Sequence, residues 1–347
     1  MAYTTIDNPA EYFNTKLYTG TGASLANTGV GFQPDLVWLK GRSGTTDHGI
    51  YDAVRGVQKD IVSNATSAET TQTTGLTAFG SDGFTVGALA KLNTSAATYV
   101  SWNWLGANTT VSNTSGTITS TVSANTTSGF SIVSWTGTGS SGNIGHGLGV
   151  SPKMVILKTR NAAYGWYTWH NSLSSTMNNY VRLDTTDAVG TDASAFGSTA
   201  PTSTVFPIGT GNSGTNFNGN TYIAYCFADV KGFSKFGSYT GNGSSDGTFV
   251  YCGFRPAWIL RKRTDSGGDW YIEDNKRNTY NLVDLILQPN LSSTEGTASS
   301  MSVDFLSNGF KVRGTSLDGN ASGGTYIYMA FAENPFVSST GIPTTAR

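Results

Sequence analysis

Glu273 and Asp274 stand side by side at what reads as the end of a strand. Paired carboxylates are what hydrolysis of a glycosidic bond requires. Adjacent strand residues point to opposite faces, however, so these two cannot act on one bond. A solvated strand end followed by Lys276 and Arg277 is the ordinary reading. The three histidines, His48, His146 and His170, show no i,i+2 or i,i+4 pairing, and no cysteine pair has zinc spacing. Asp318-Gly319-Asn320 and Asp265-Ser266-Gly267-Gly268-Asp269 offer oxygens that would suit calcium. Tight turns require the same residue types. No Gly-x-Ser-x-Gly elbow places a nucleophile between strand and helix. The run Gly137-Thr138-Gly139-Ser140-Ser141-Gly142 opens no helix and lacks the lysine of a phosphate loop. The residues therefore assign no catalytic group, no metal and no cofactor. A non-enzymatic protein is expected.

The remaining chemistry is aromatic. Tyr164-Gly165-Trp166-Tyr167-Thr168-Trp169-His170 is the most aromatic stretch of the chain. On a strand, Tyr164 and Trp166 share one face, and Tyr167 and Trp169 share the other. Two readings stand: core packing on a central strand, or a partly exposed patch in which Tyr164, Trp166, Tyr167 and Trp169 contact a glycan.

Composition narrows the class. The chain has 347 residues, enough for two or three domains. Charged residues make up 12%, half of the ~25% of an ordinary globular protein. Disorder is one outcome of so little charge, but aromatics also reach 12% and supply large apolar area to bury. A folded chain with a neutral Ser, Thr, Asn and Gly surface is expected. The net charge of −1 gives no field to attract nucleic acid or anionic lipid. The opening Met1-Ala2-Tyr3-Thr4-Thr5-Ile6-Asp7 has neither a basic nor an apolar leader region, and no run approaches 18 apolar residues. Synthesis in a cytosol and no membrane insertion are expected. The two cysteines, Cys226 and Cys252, read as buried thiols, with a disulfide as the alternative.

The elements that must carry these residues repeat three times. The turn Tyr18-Thr19-Gly20-Thr21-Gly22 returns as Trp135-Thr136-Gly137-Thr138-Gly139 and as Tyr239-Thr240-Gly241-Asn242-Gly243. A proline-led apolar run follows each turn, from Pro34, Pro152 and Pro256. Each copy closes on an aromatic strand whose one face is apolar: Val100/Trp102/Trp104, Ile223/Tyr225/Phe227 and Ile327/Met329/Phe331. The proline-led runs are apolar on both faces and predict central strands. Ser81-Asp82-Gly83 and Ser307-Asn308-Gly309 predict tight hairpins whose glycines supply positive φ. The second copy lacks that glycine before Pro207. The best helix candidate is a turn or two over 52–59.

This pattern predicts an all-β protein of three tandem jelly-roll-like β-sandwich repeats. They occupy residues 1–107, 129–231 and 232–347, with 108–128 as a Ser/Thr/Asn-rich linker or polar hairpin. Differences between copies are expected in loops such as 184–201 and 287–302.

Several long stretches resemble an uncharacterised domain family of marine tailed phages. They are Tyr12-Phe13-Asn14-Thr15-Lys16-Leu17-Tyr18-Thr19-Gly20, Gly31-Phe32-Gln33-Pro34-Asp35-Leu36-Val37-Trp38, Asp52-Ala53-Val54-Arg55-Gly56 and Ala228-Asp229-Val230-Lys231-Gly232-Phe233-Ser234-Lys235-Phe236. Asn334-Pro335-Phe336 and the tail Pro343-Thr344-Thr345-Ala346-Arg347 belong with them. The resemblance implies a virion protein with concanavalin-A-like sandwich domains and brings no catalytic residues.

The expected function is a structural virion component, projecting from the particle as a tail fibre or adhesin for host attachment. A capsid decoration or head-fibre protein is the alternative, and a glycan depolymerase a third reading. A free lectin unrelated to viruses is a fourth. The expected partners are other virion proteins, further copies of the chain in a trimer, and a host surface glycan. The expected location is the virion, assembled in the host cytoplasm and released by lysis.

Overall fold

The computed structural model describes residues 2–344; Met1 and the last three residues of the tail motif, 345–347, lie outside the described residues. The chain is all-β, built of antiparallel sheets in a sandwich arrangement. The one sheet order that recurs is opening strand, closing strand, proline-led strand, follower strand. In the first copy these are Phe13–Thr19, Thr98–Trp104, Leu36–Gly41 and Gly49–Asp52. In the second they are Phe130–Thr136, Thr221–Phe227, Met154–Thr159 and Tyr167–His170. In the third they are Ser234–Thr240, Thr325–Pro335, Phe254–Arg263 and Trp270–Asp274. Pro34 and Pro152 precede their strands, whereas Pro256 lies inside its strand at a register shift. A bulge is where a strand tolerates a residue without an N–H.

The second copy's four strands lie within an eight-stranded sheet, and each copy has a small outer sheet on one side. Leu25–Thr28, Gly83–Val86 and Leu76–Gly80 serve the first copy, Gly142–Gly145 and Val205–Ile208 the second, and Phe249–Tyr251, Gly309–Val312 and Val303–Leu306 the third. Three separate cores fill these spaces: Val37, Tyr51 and Phe84 in the first, Val155, Trp169 and Phe206 in the second, and Ile259, Phe305 and Tyr328 in the third.

The apolar faces of the closing strands do not face these outer sheets. Val100, Trp102, Trp104, Ile223, Tyr225, Phe227, Ile327, Met329 and Phe331 all belong to one continuous core. Within it the three equivalent residues Trp104, Phe227 and Phe331 form a nearly equilateral triangle. The ring centroids are 6.3 Å apart for Trp104 and Phe227, 5.8 Å for Trp104 and Phe331, and 6.1 Å for Phe227 and Phe331. The three inner sheets thus surround a shared aromatic centre. Each is covered on both faces, which explains the proline-led runs without a polar side. The opposite face of the second closing strand, Tyr222, Ala224 and Cys226, packs under the outer sheet instead.

Two local expectations are corrected, and one alternative is decided. Residues 52–59 form no helix, because the Asp52 carboxylate accepts the Arg55 N–H and folds the chain into a turn. Short α-helical turns lie elsewhere, at Ala90–Asn93 and Leu317–Asn320. Gly83 and Gly309 do follow tight connections, but Gly309 is not in a positive-φ conformation. Both are needed because a Cβ would collide with the neighbouring strand, at Asn27 O and Val250 O respectively. Finally, 108–128 holds two strands, Val111–Asn113 and Ser120–Asn125, and the latter pairs with the second opening strand along its full length. Of the two readings for that segment, the structure takes the hairpin.

The three junctions and an open cleft as the candidate functional site

Neighbouring units are tied by the same three kinds of contact, repeated cyclically. Buried lysines come first. Lys158 of the second unit donates to Thr66 O of the first at 2.9 Å. Lys262 of the third donates to Thr186 O of the second at 3.1 Å, and Lys40 of the first to Ser292 O of the third at 3.2 Å. All three lysine side chains have no solvent exposure. Burial pulls each amine down to about 8.

Ring N–H groups make the second tie. Trp166 donates to Val62 O at 2.9 Å and Trp270 to Arg182 O at 2.8 Å. In the first unit His48 takes the tryptophan's place, with Nε2 3.0 Å from Gln288 O while Nδ1 accepts the Trp38 indole N–H. That wiring fixes the neutral Nε2–H tautomer. Main-chain bonds complete the set: Glu69 N to Arg160 O, Val189 N to Thr264 O, and Glu295 N to Arg42 O, at 2.7, 3.0 and 3.0 Å.

A fourth feature breaks the symmetry. At the junction of units one and two, Arg160 grips Glu69 through two bonds of 2.9 and 3.1 Å. Arg55 bridges Glu69 to Asp52, whose carboxylate also accepts the Tyr225 hydroxyl at 2.8 Å. At the junction of units three and one, Arg42, Glu295, Arg277 and Asp274 repeat the pattern, with the Trp102 indole donating to Asp274 at 3.1 Å. Burial opposes ionisation of Glu69, but Arg160 and Arg55 overcome it and hold its carboxyl below the ordinary range.

At the junction of units two and three the corresponding residues are His170, Leu173, Val189 and Thr264. No guanidinium or carboxylate remains in that quartet. His170 Nε2 lies 3.2 Å from Tyr328 O, and its Nδ1 accepts the Ser172 N–H. Burial holds this imidazole down at about 4. Where arginine fills the other junctions, a cleft of about 570 Å³ opens to solvent here. Leu173, Val189 and Ile327 form its apolar floor, and Ser172, Ser238 and Thr240 carry hydroxyls on its rim. Asp265 also lines it, but Arg263 binds that carboxylate through two bonds of 3.1 and 3.0 Å.

The aromatic stretch and the Glu273-Asp274 pair singled out in the sequence do not line this cleft. Trp166 is fully buried in the shared centre, while Tyr167 and Trp169 are buried under the second outer sheet. They cannot meet a glycan, because the strand is central and both its faces are covered. Only Tyr164 is exposed, at 37%. Glu273 and Asp274 point apart, but the strand end is buried and not solvated as expected: Glu273 pairs with buried Arg261, and Asp274 with buried Arg277. The oxygens of the calcium-like turns are taken by protein donors. Tyr271 donates to Asp318, and Gln288 and Asn290 donate to Asp269. Among the described residues no group of three His, Cys, Asp or Glu is placed to hold a metal ion. Cys226 and Cys252 are free thiols in different cores. No helix among the described residues is long and apolar enough to cross a membrane.

One structural set escaped the sequence reading. Asn93, Asn216 and Asn320 are fully buried behind the three glycine turns. Each side-chain oxygen accepts a turn N–H, from Thr21, Thr138 and Asn242. Each amide donates to a glycine carbonyl six or seven residues back, at Gly87, Gly209 and Gly314. The signal was present: each asparagine stands six residues before the closing-strand tyrosine, Tyr99, Tyr222 or Tyr326.

Sheet order and junctions define a protein of antiparallel β-sheets closed around one aromatic centre. Residues 8–335 match the family model described as "Domain of unknown function (DUF7483)", and the chain belongs to that family. No curated protein matches it.

Proposed function

We propose that the chain is a non-enzymatic structural component of a tailed-phage virion, built of three jelly-roll-like, concanavalin-A-like sandwiches. It projects from the particle and presents its outer loops for host attachment. The closure of three equivalent sheets around Trp104, Phe227 and Phe331 carries this reading. Such a body suits display. Its repeated residues are spent on the centre and the ties, and the non-repeated ones lie in loops and at the open cleft. The low charge and the phage-like stretches support the same reading.

The arrangement changes the argument for a trimer. One chain already places three units around an axis, so several presenting surfaces do not require three chains. The same symmetry favours a second reading, a capsid decoration protein, since one chain could seat on a threefold position of a shell. Imaging of intact particles tests both. Density at the tail supports the projecting adhesin, density on the shell the decoration protein, and absence of the chain from purified particles rules out either. Incubation with host polysaccharide tests the non-enzymatic part, which chain shortening would overturn.

A further inference from the structure

The second opening strand, Phe130–Thr136, has both edges paired: the closing strand on one side and Ser120–Asn125 on the other. The third opening strand, Ser234–Thr240, occupies the same place in its sheet but has no strand on its outer edge. The outward backbone groups can be identified. Phe236 N–H points away from the sheet and donates to the Asp229 carboxylate at 2.9 Å. Pairing with the closing strand is regular from Ser234 to Thr240, so N–H and C=O of Ser238 point the same way. Ser238, Tyr239 and Thr240 also line the cleft of about 570 Å³, which leaves room for incoming side chains. The first opening strand, Phe13–Thr19, is an edge as well, but at its junction Arg42 and Glu295 stand where Thr264 and Val189 line the cleft.

We propose that the outer edge of Ser234–Thr240, with the adjoining cleft, is a seat for an extended, uncharged, Ser/Thr-rich strand of a partner polypeptide. Strand addition uses main-chain bonds for affinity and flanking pockets for selectivity. The chain supplies its own template, since Ser120–Asn125, of sequence Ser-Thr-Val-Ser-Ala-Asn, fills the equivalent seat in the second unit. Charge is excluded because no lysine or arginine lines the cleft and its one carboxylate is held by Arg263. Asp229 holds the Phe236 N–H and the Thr248 hydroxyl holds Thr240 O, so the open main-chain bonds centre on Ser238 and the seat takes about three residues at ~3.4 Å each. The inference stands on the edge and the cleft, not on the virion reading. A chain absent from particles could still hold such a strand, and a virion protein could lack the seat.

A synthetic peptide of residues 118–126 is the probe, titrated into the full-length isotope-labelled protein. Amide shifts confined to 236–240 and the cleft are expected, with none on the already paired 130–136. Ser238→Pro removes an outward N–H without touching the closing strand, a change that edge strands tolerate. It should weaken binding at least tenfold. Should that variant fail to fold, Val189→Glu with Thr264→Arg, which restores the pair present at the other junctions, should fill the cleft and do the same. Absence of shifts at millimolar peptide, shifts elsewhere, or undiminished binding by a folded variant would each overturn the proposal.

Discussion

The amine of Lys158 lies 2.9 Å from Thr66 O and also donates to Tyr164 O, so one buried cation joins a loop of the first unit to a loop of the second. Lys158→Met removes the cost of the buried charge but leaves two carbonyls without their donor. Hydrogen bonds to charged groups are each worth about 1.5–3 kcal/mol, which outweighs the relief. The variant should lose roughly 2 kcal/mol in urea denaturation. A variant as stable as the parent would show that the lysine contributes nothing net.

Glu69 sits between two guanidinium groups, Arg55 and Arg160. Glu69→Gln leaves both cations without their shared anion, one of them fully buried. Breaking a buried pair by removing one partner costs about 3–5 kcal/mol, and the exposure of Arg160 together with the Asp52 partner that Arg55 keeps places this case below that range, at about 2. The same denaturation measurement checks it, and Arg55→Leu added to the variant should deepen the loss, because it leaves the buried Asp52 carboxylate unpaired.

Acid sensitivity should come in part from buried histidine. His146 and His170 are held at about 4 by burial, against an ordinary value of 6.5. Below pH 6.5 the unfolded chain takes up a proton that the folded imidazole refuses. Their contribution is therefore complete above pH 6.5 and is lost as pH falls to about 4, at up to ~1.4 kcal/mol per pH unit for each ring. The denaturation midpoint of His170→Gln should fall less steeply than that of the parent across pH 6.5 to 4. Parallel curves would refute the assignment.

Asn216 tests the turn lock. Asn216→Ala orphans the Thr138 N–H and the Gly209 carbonyl and leaves Ser140 O with the Thr138 hydroxyl alone. An expected loss on the order of 3 kcal/mol follows from the cost of buried unpaired groups. Local hydrogen exchange at Thr138 should rise with it.

Much of the fold was legible because its determinants recur. The glycine turns, the proline-led runs and the closing strands Thr98–Trp104, Thr221–Phe227 and Thr325–Pro335 were all visible as repeats. The destination of their apolar faces was not. Period-two alternation says that Trp102 and Tyr225 share a buried face, but not whether that core belongs to one sheet or to three. The candidate site was legible only in fragments. Tyr164, Trp166, Tyr167 and Trp169 drew notice by residue type, and burial removes three of them. The cleft is defined by what Leu173, Val189 and Thr264 are not. That contrast emerges only when each is set beside its two counterparts, which lie over 100 residues away in the chain.

The missing quartet at the second junction also has a mechanical meaning. A load that spreads the three sheets meets guanidinium–carboxylate bridges at the first and third boundaries. At the second it meets the lysine, indole and main-chain bonds without them. Yielding should therefore start between units two and three. That is also where the unpaired edge of Ser234–Thr240 lies, so tension and strand capture would act on the same line of the molecule.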